Sequence, residues 1–86
     1  MIQKISAPIS VILTYNHRKK EVKPVKVLWE NRPYLITRIG LHHTVRQGRT
    51  LFHIFSVECD ALFFRLMLNT ESLNWTVEEI ADGEPS

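Results

Sequence analysis

The sequence predicts an all-β domain, a small antiparallel meander of six to seven strands forming a curled sheet or a partly closed barrel. Two observations carry this. Apolar and β-branched residues alternate with polar ones at a period of two, and turn-forming residues recur between these runs at short, regular spacing. At 86 residues the chain is long enough for one hydrophobic core and too short for two, so residues 1–86 are read as a single domain. A meander of this kind has to curl to hide its edges.

Taken in order, Pro8 opens an apolar run from Ile9 to Tyr15 whose β-branched residues suit a strand. Residues 16–24 are polar, rich in Lys and Arg, and end in Pro24, which predicts a flexible basic loop. Val25, Val27 and Trp29 alternate with Lys26 and Leu28 as a second strand, and Glu30, Asn31 and Arg32 form a turn. The return arm runs from Pro33 to Ile39, with Tyr34 and Ile36 on one face and Leu35, Thr37 and Ile39 on the other. Gly40 marks a bend or bulge.

Leu41 to Arg46 and Thr50 to Glu58 flank a glycine-bearing connection, Gln47 to Arg49, suited to a hairpin. A turn is expected at Glu58 to Asp60. Ala61 to Leu68 reads as a strand with Leu62, Phe64, Leu66 and Leu68 on one face. Leu73 to Ile80 closes the domain with Leu73, Trp75 and Val77 on one face, and residues 81–86 form a frayed tail. Trp29, Tyr34, Phe64 and Trp75 are assigned to the core.

Composition narrows the setting. The chain is 44% hydrophobic, with four Phe, two Trp and two Tyr, enough for a core without disulfides or a structural metal. The lone Cys59 has no intramolecular partner, the N-terminus lacks the apolar stretch of a secretory signal, and no run spans a bilayer; the expected location is cytoplasmic. The net charge of +2 conceals an asymmetry: residues 1–50 hold ten of the eleven Lys and Arg with only Glu21 and Glu30, and residues 51–86 hold seven acids with only Arg65. An anionic partner for the first segment, or mutual neutralisation of the two, would each account for it.

Ile5-Ser6, Pro8-Ile9, Val11, the Val27 and Trp29 strand, Arg32, Tyr34 and Ile36, the strand through Phe52 and Val57, and the closing Trp75 and Val77 form a pattern. It resembles a family of small uncharacterised bacterial β-domains over almost the whole chain. The resemblance implies a stand-alone protein or a C-terminal appendage, including behind proteins similar to lesion-bypass polymerases, and implies no established activity. This chain departs from the family near Leu41 to His43, where the family has a tryptophan.

Catalytic constellations are not evident. Glu78 and Glu79 are adjacent on a strand and diverge, and Gly40, Gly48 and Gly83 are too scattered to cradle a phosphate. Cys59 stands between Glu58 and Asp60, acids that would raise its thiol pKa. A non-enzymatic protein without cofactors is the expectation. A hairpin turn at Gln47 to Arg49 would set His53 opposite His42 or His43, but a zinc site needs three or four ligands, and no metal is assigned.

The sharpest functional candidate is the basic set Arg18, Lys19, Lys20, Lys23, Lys26, Arg38, Arg46 and Arg49, which would neutralise the phosphates of DNA or RNA while Tyr15, Tyr34 and Phe52 stack on bases. The alternative is a protein-interaction module, adaptor or appendage, docking a protein partner through a β edge or apolar face. An exposed edge strand could equally pair two copies into a homodimer.

Overall fold

A computed structural model of the chain describes residues 2–82. Seven strands build one antiparallel sheet: β1 (Ile2–Asn16), β2 (Glu21–Trp29), β3 (Arg32–Leu35), β4 (Arg38–Gln47), β5 (Thr50–Cys59), β6 (Leu62–Asn69) and β7 (Trp75–Asp82). Their order in space is β3-β2-β1-β7-β6-β5-β4. β1 is long enough to serve two neighbours, pairing with β7 through Ile2 to Ile9 and with β2 through Ser10 to Asn16. Beyond the end of β7, β1 and β2 therefore continue as a two-stranded arm.

β3 and β4 follow one another in the chain yet form the two outer strands of the sheet. Two residues make that crossing. Ile36 N–H donates to Val25 O of β2 at 2.9 Å, and Thr37 N–H donates to Glu58 O of β5 at 2.8 Å. Thr37 Oγ1 donates to the same Glu58 oxygen at 3.2 Å. Adjacent residues can bond to opposite ends of a sheet only if it is strongly curled, as the native twist favours. The sheet nevertheless stays open, because β3 pairs only with Lys26 to Trp29 and the outer edge of β4 has no strand partner among the described residues.

Several boundaries differ from the sequence reading, each for a local reason. Only His17 to Lys20 form the first turn. Asn16 Oδ1 accepts the N–H groups of Arg18 and Lys19 at 3.0 and 3.1 Å, and Lys20 takes a positive φ of 51°, so the chain reverses at once. Glu21 to Pro24 are thereby strand rather than loop. Glu30 and Asn31 both have positive φ, 52° and 62°, the arrangement of a two-residue type I′ turn, so Arg32 already belongs to β3. Cys59 pairs with Leu62 across Asp60 and Ala61, which places Glu58 in β5. Leu73, at φ 64° and 71% exposed, lies in the β6–β7 turn and does not share a face with Trp75. Ala81 and Asp82, expected in a frayed tail, belong to β7; the rest of that segment, residues 83–86, lies outside the described residues.

The core fills the concave face. One row of paired positions crosses five strands, His42 of β4, Phe55 of β5, Leu66 of β6, Val77 of β7 and Ala7 of β1. Phe55, Leu66 and Val77 are fully buried in it. Toward the Asp60 end, Phe64 is packed edge-on by Trp29 and Tyr34, with centroids 6.3 and 5.1 Å away. Ile36 and Ile39 both reach the same core although they differ in parity, because the crossover turns the chain between them. Among the described residues no polar or charged side chain is buried, so cohesion is apolar packing plus the backbone ladder. Leu66, at 0% exposure in the middle of that row, sets a test: Leu66→Ala is expected to lower the unfolding free energy by about 2–5 kcal/mol in urea titration.

Candidate functional site

The unclosed part of the sheet is a seam. On one side runs the edge of β2 from Glu21 to Val25, and on the other the edge of β4 from Arg38 onward, with the Ile36–Thr37 crossover at the apex. A groove of about 570 Å³ lies between them, lined by Thr14 and Glu21 to Val25 from the arm, by Ile36 to Ile39 and His42, and by Phe55 at its base. Its volume falls in the range usual for ligand-binding clefts, ~300–1,000 Å³.

His42 is the residue that sets the floor. The ladder skips one residue of β4 between Ile39 and Leu41, a bulge at Gly40, and this reverses the alternation: Leu41 turns outward and becomes 55% exposed, while His42 turns onto the concave face. Its ring stacks on Phe55 with centroids 4.1 Å apart and planes at 11°. Phe55 in turn packs against Trp75 at 5.7 Å. His42 Nε2 and His53 Nδ1 share a hydrogen bond of 2.7 Å, one ring donating and the other accepting, which fixes both ring planes.

The direct cross-strand partner of His53 is Thr44, not His42 or His43. Gln47 is itself paired with Thr50, leaving Gly48 and Arg49 as a two-residue turn with Gly48 at φ 63°, and that register moves His42 to the diagonal position. The imidazoles still meet because diagonal neighbours on one face remain within reach. His43 points to the opposite face, beside Ile54. Among the described residues no group of three or more His, Cys, Asp and Glu side chains is placed to hold a metal ion.

Burial holds the His42 pKa below its ordinary value, helped by the neighbouring His53 and His43; Glu21, across the seam, acts weakly in the other direction. Cys59 faces the core, and its thiol is pushed up to about 11, first by burial and then by Asp60. The carboxylate of Glu58, the other acid next to Cys59 in the chain, lies against Arg38.

The eight basic candidates divide into groups. β2 read backward and β4 read forward leave the apex in the same direction, and Glu21 and His42 line the one groove; the turn beyond Glu21 and the hairpin beyond His42 therefore share one end of the molecule. Arg18, Lys19 and Lys20 occupy the first, and Arg46 and Arg49 the second. None of these five forms an ion pair among the described residues. The β6–β7 turn joins them at this end, where Thr50 Oγ1 donates to Glu71 Oε2 at 3.2 Å. The turns at the opposite end of β2 and β5 carry Glu30 and Asp60, so the charge asymmetry of the sequence becomes a polarity along the fold.

Lys23 and Arg38 line the groove but face carboxylates, Glu21 at 3.3 Å and Glu58 respectively. Lys26 lies off the groove, between Ile12 and Leu35 on the convex face. Of the aromatic residues expected to stack on bases, Tyr15 is 60% exposed on the arm, whereas Tyr34 packs against Trp29 and Phe64 and Phe52 is half-buried opposite Val45. The aromatic surface of the groove is His42 over Phe55, which the alternation of the sequence does not disclose; the one signal available is Gly40.

Comparison with protein-family models, with curated proteins and with solved structures returned no match to this chain.

Two outcomes follow from the titratable groups. His42 resists protonation more in the folded than in the unfolded chain, so its contribution to stability is fully present above pH 6.5, its ordinary value, and is lost as the pH falls through the lower folded value. The urea midpoint should therefore drop on acidification below that pH, and His42→Phe should flatten this part of the profile. A disulfide-exchange reagent at about pH 8 should label Cys59 slowly in the folded protein and at least about tenfold faster in urea, since burial and the raised pKa both withhold the thiolate.

Proposed function

We propose that this domain is a non-catalytic nucleic-acid-binding module whose contact surface is the basic end of the seam. The reading rests on one observation: five cations without carboxylate partners among the described residues, on two separate turns, stand at the same end of a groove with an aromatic floor. Cations on two sides of a cleft neutralise successive phosphates and release their counterions, which supplies affinity with little dependence on sequence. An appendage beside polymerase-like proteins, as the resemblance implies, fits this role.

A second reading, docking of a protein, is favoured by a different surface. Ile12, Leu28 and Leu35 are 49%, 37% and 59% exposed on the convex face of β1, β2 and β3, where register sets Ile12 and Leu35 on either side of Lys26. An apolar interface of this kind is insensitive to salt, which separates the two readings.

Fluorescence-anisotropy titration of labelled DNA and RNA oligonucleotides at low and at moderate salt is the test. Binding should weaken linearly in log salt. In an Arg18→Ala, Lys19→Ala, Lys20→Ala variant the slope should shrink by about 0.7 for each single-strand phosphate that is no longer neutralised. Among the described residues the only carboxylate lining the groove is Glu21, so Glu21→Gln should tighten binding. Absence of binding at low salt, or binding indifferent to salt, rules the proposal out.

A further inference from the structure

The row of core positions ends in an unusual way at the β4 edge. Phe55 is 1% exposed and would ordinarily be capped by an aliphatic residue, yet the position paired with it carries an exposed histidine whose ring lies parallel to the phenyl at 4.1 Å. With Trp75 packed against Phe55 at 5.7 Å, tilted by 32°, three rings in successive contact form a column that runs from the core into the seam. The column ends on His42, an exposed residue that lines the groove. Its plane is held by the bond to His53, so a flat ligand arriving there meets a ring already oriented.

We infer that the seam takes single-stranded nucleic acid and that an unpaired base stacks on His42, extending the column His42–Phe55–Trp75, while the two basic turns hold the flanking phosphates. The inference rests on the proposed nucleic-acid reading and specifies its ligand. Bases within a duplex are already stacked on one another and offer no free face, whereas every unpaired base has one, and stacking on a protein ring tolerates any base. The seam suits an extended strand: its two walls are strand edges that no neighbouring strand covers among the described residues, and the charged turns stand beyond the stacking position rather than over it. Lys23 and Glu21 neutralise each other on the arm side, so the wall facing His42 repels a phosphate less than an isolated carboxylate would.

The experiment compares a labelled single strand of about 12 nucleotides, within the length that single-strand-binding grooves cover, with the same sequence as a duplex. It does so for the full chain and for the variants His42→Ala and His42→Phe. The single strand should bind the unaltered protein more tightly than the duplex. His42→Ala should weaken single-strand binding roughly 5- to 100-fold and leave duplex binding unchanged, which also reports an intact fold. His42→Phe, which keeps a flat ring and loses the imidazole nitrogens, should restore most of the single-strand affinity. Equal losses on both ligands, no effect of His42→Ala, or a preference for duplex would each overturn the stacking inference while leaving the broader reading in place. If the unaltered protein binds neither ligand, the broader reading fails and takes this one with it.

Discussion

Everything distinctive about this fold depends on the two-residue crossover at Ile36 and Thr37. One amide donates to β2 and the next to β5, strands that lie four places apart in the sheet. A flat sheet would keep those acceptors far apart, because adjacent strands are spaced by about 4.8 Å. The crossover therefore imposes the curl, and the curl lets side chains from β2, β5, β6 and β7 enclose a single core. With only four residues in β3, the crossover joins the edges at one point and leaves them to diverge beyond it. A longer β3 would cover the β2 edge; the short one leaves the groove.

The same geometry turns a linear charge asymmetry into a spatial one. In an antiparallel meander, alternate turns fall at opposite ends, so the sign of the charge in each turn decides the polarity of the molecule. Here the β1–β2 and β4–β5 turns are basic and the β2–β3 and β5–β6 turns carry Glu30 and Asp60, while Glu71 of the β6–β7 turn is the acid that stands at the basic end, against Thr50. Asn16 organises the first of these by accepting two N–H groups, and Asn69 repeats the device in the β6–β7 turn, accepting from Glu71 and Ser72 at 2.9 and 3.1 Å. Short turns closed by side-chain acceptors present their charges from a constrained backbone.

Much of the fold was legible in the sequence because period-two alternation reports a sheet with one buried face. Leu62, Phe64 and Leu66 were legible for that reason, as was the strand character of β6. Legibility failed where the chain breaks its own period. Pro24 signals a break, but a bulge in the β1–β2 ladder between Ile12 and Leu13 brings it into register with Leu13, and it is buried. Tyr34 reads from the sequence both as core and as a base-stacking aromatic, and its packing against Trp29 and Phe64 decides for the core. In the sequence His42 reads only as one histidine among four, because its stacking on Phe55 depends on the Gly40 bulge and on a register fixed by a turn one residue shorter than the glycine-bearing segment suggests. The cations were legible as a set, but their division into members with and without a carboxylate partner among the described residues depends on Glu21 and Glu58, whose placement beside Lys23 and Arg38 no local pattern announces.

The outer edge of β4 has a consequence for self-association. Ten residues of backbone with no strand along their outer side among the described residues would ordinarily template a second copy. An antiparallel, two-fold symmetric pairing centred on His42 sets Arg38 of one molecule against Arg46 of the other, and this strand contains no acid to relieve the repulsion. The Gly40 bulge further interrupts the ladder that a partner strand would extend. Like charge at Arg38 and Arg46 opposes that pairing, tempered at Arg38 by the Glu58 carboxylate that lies against it.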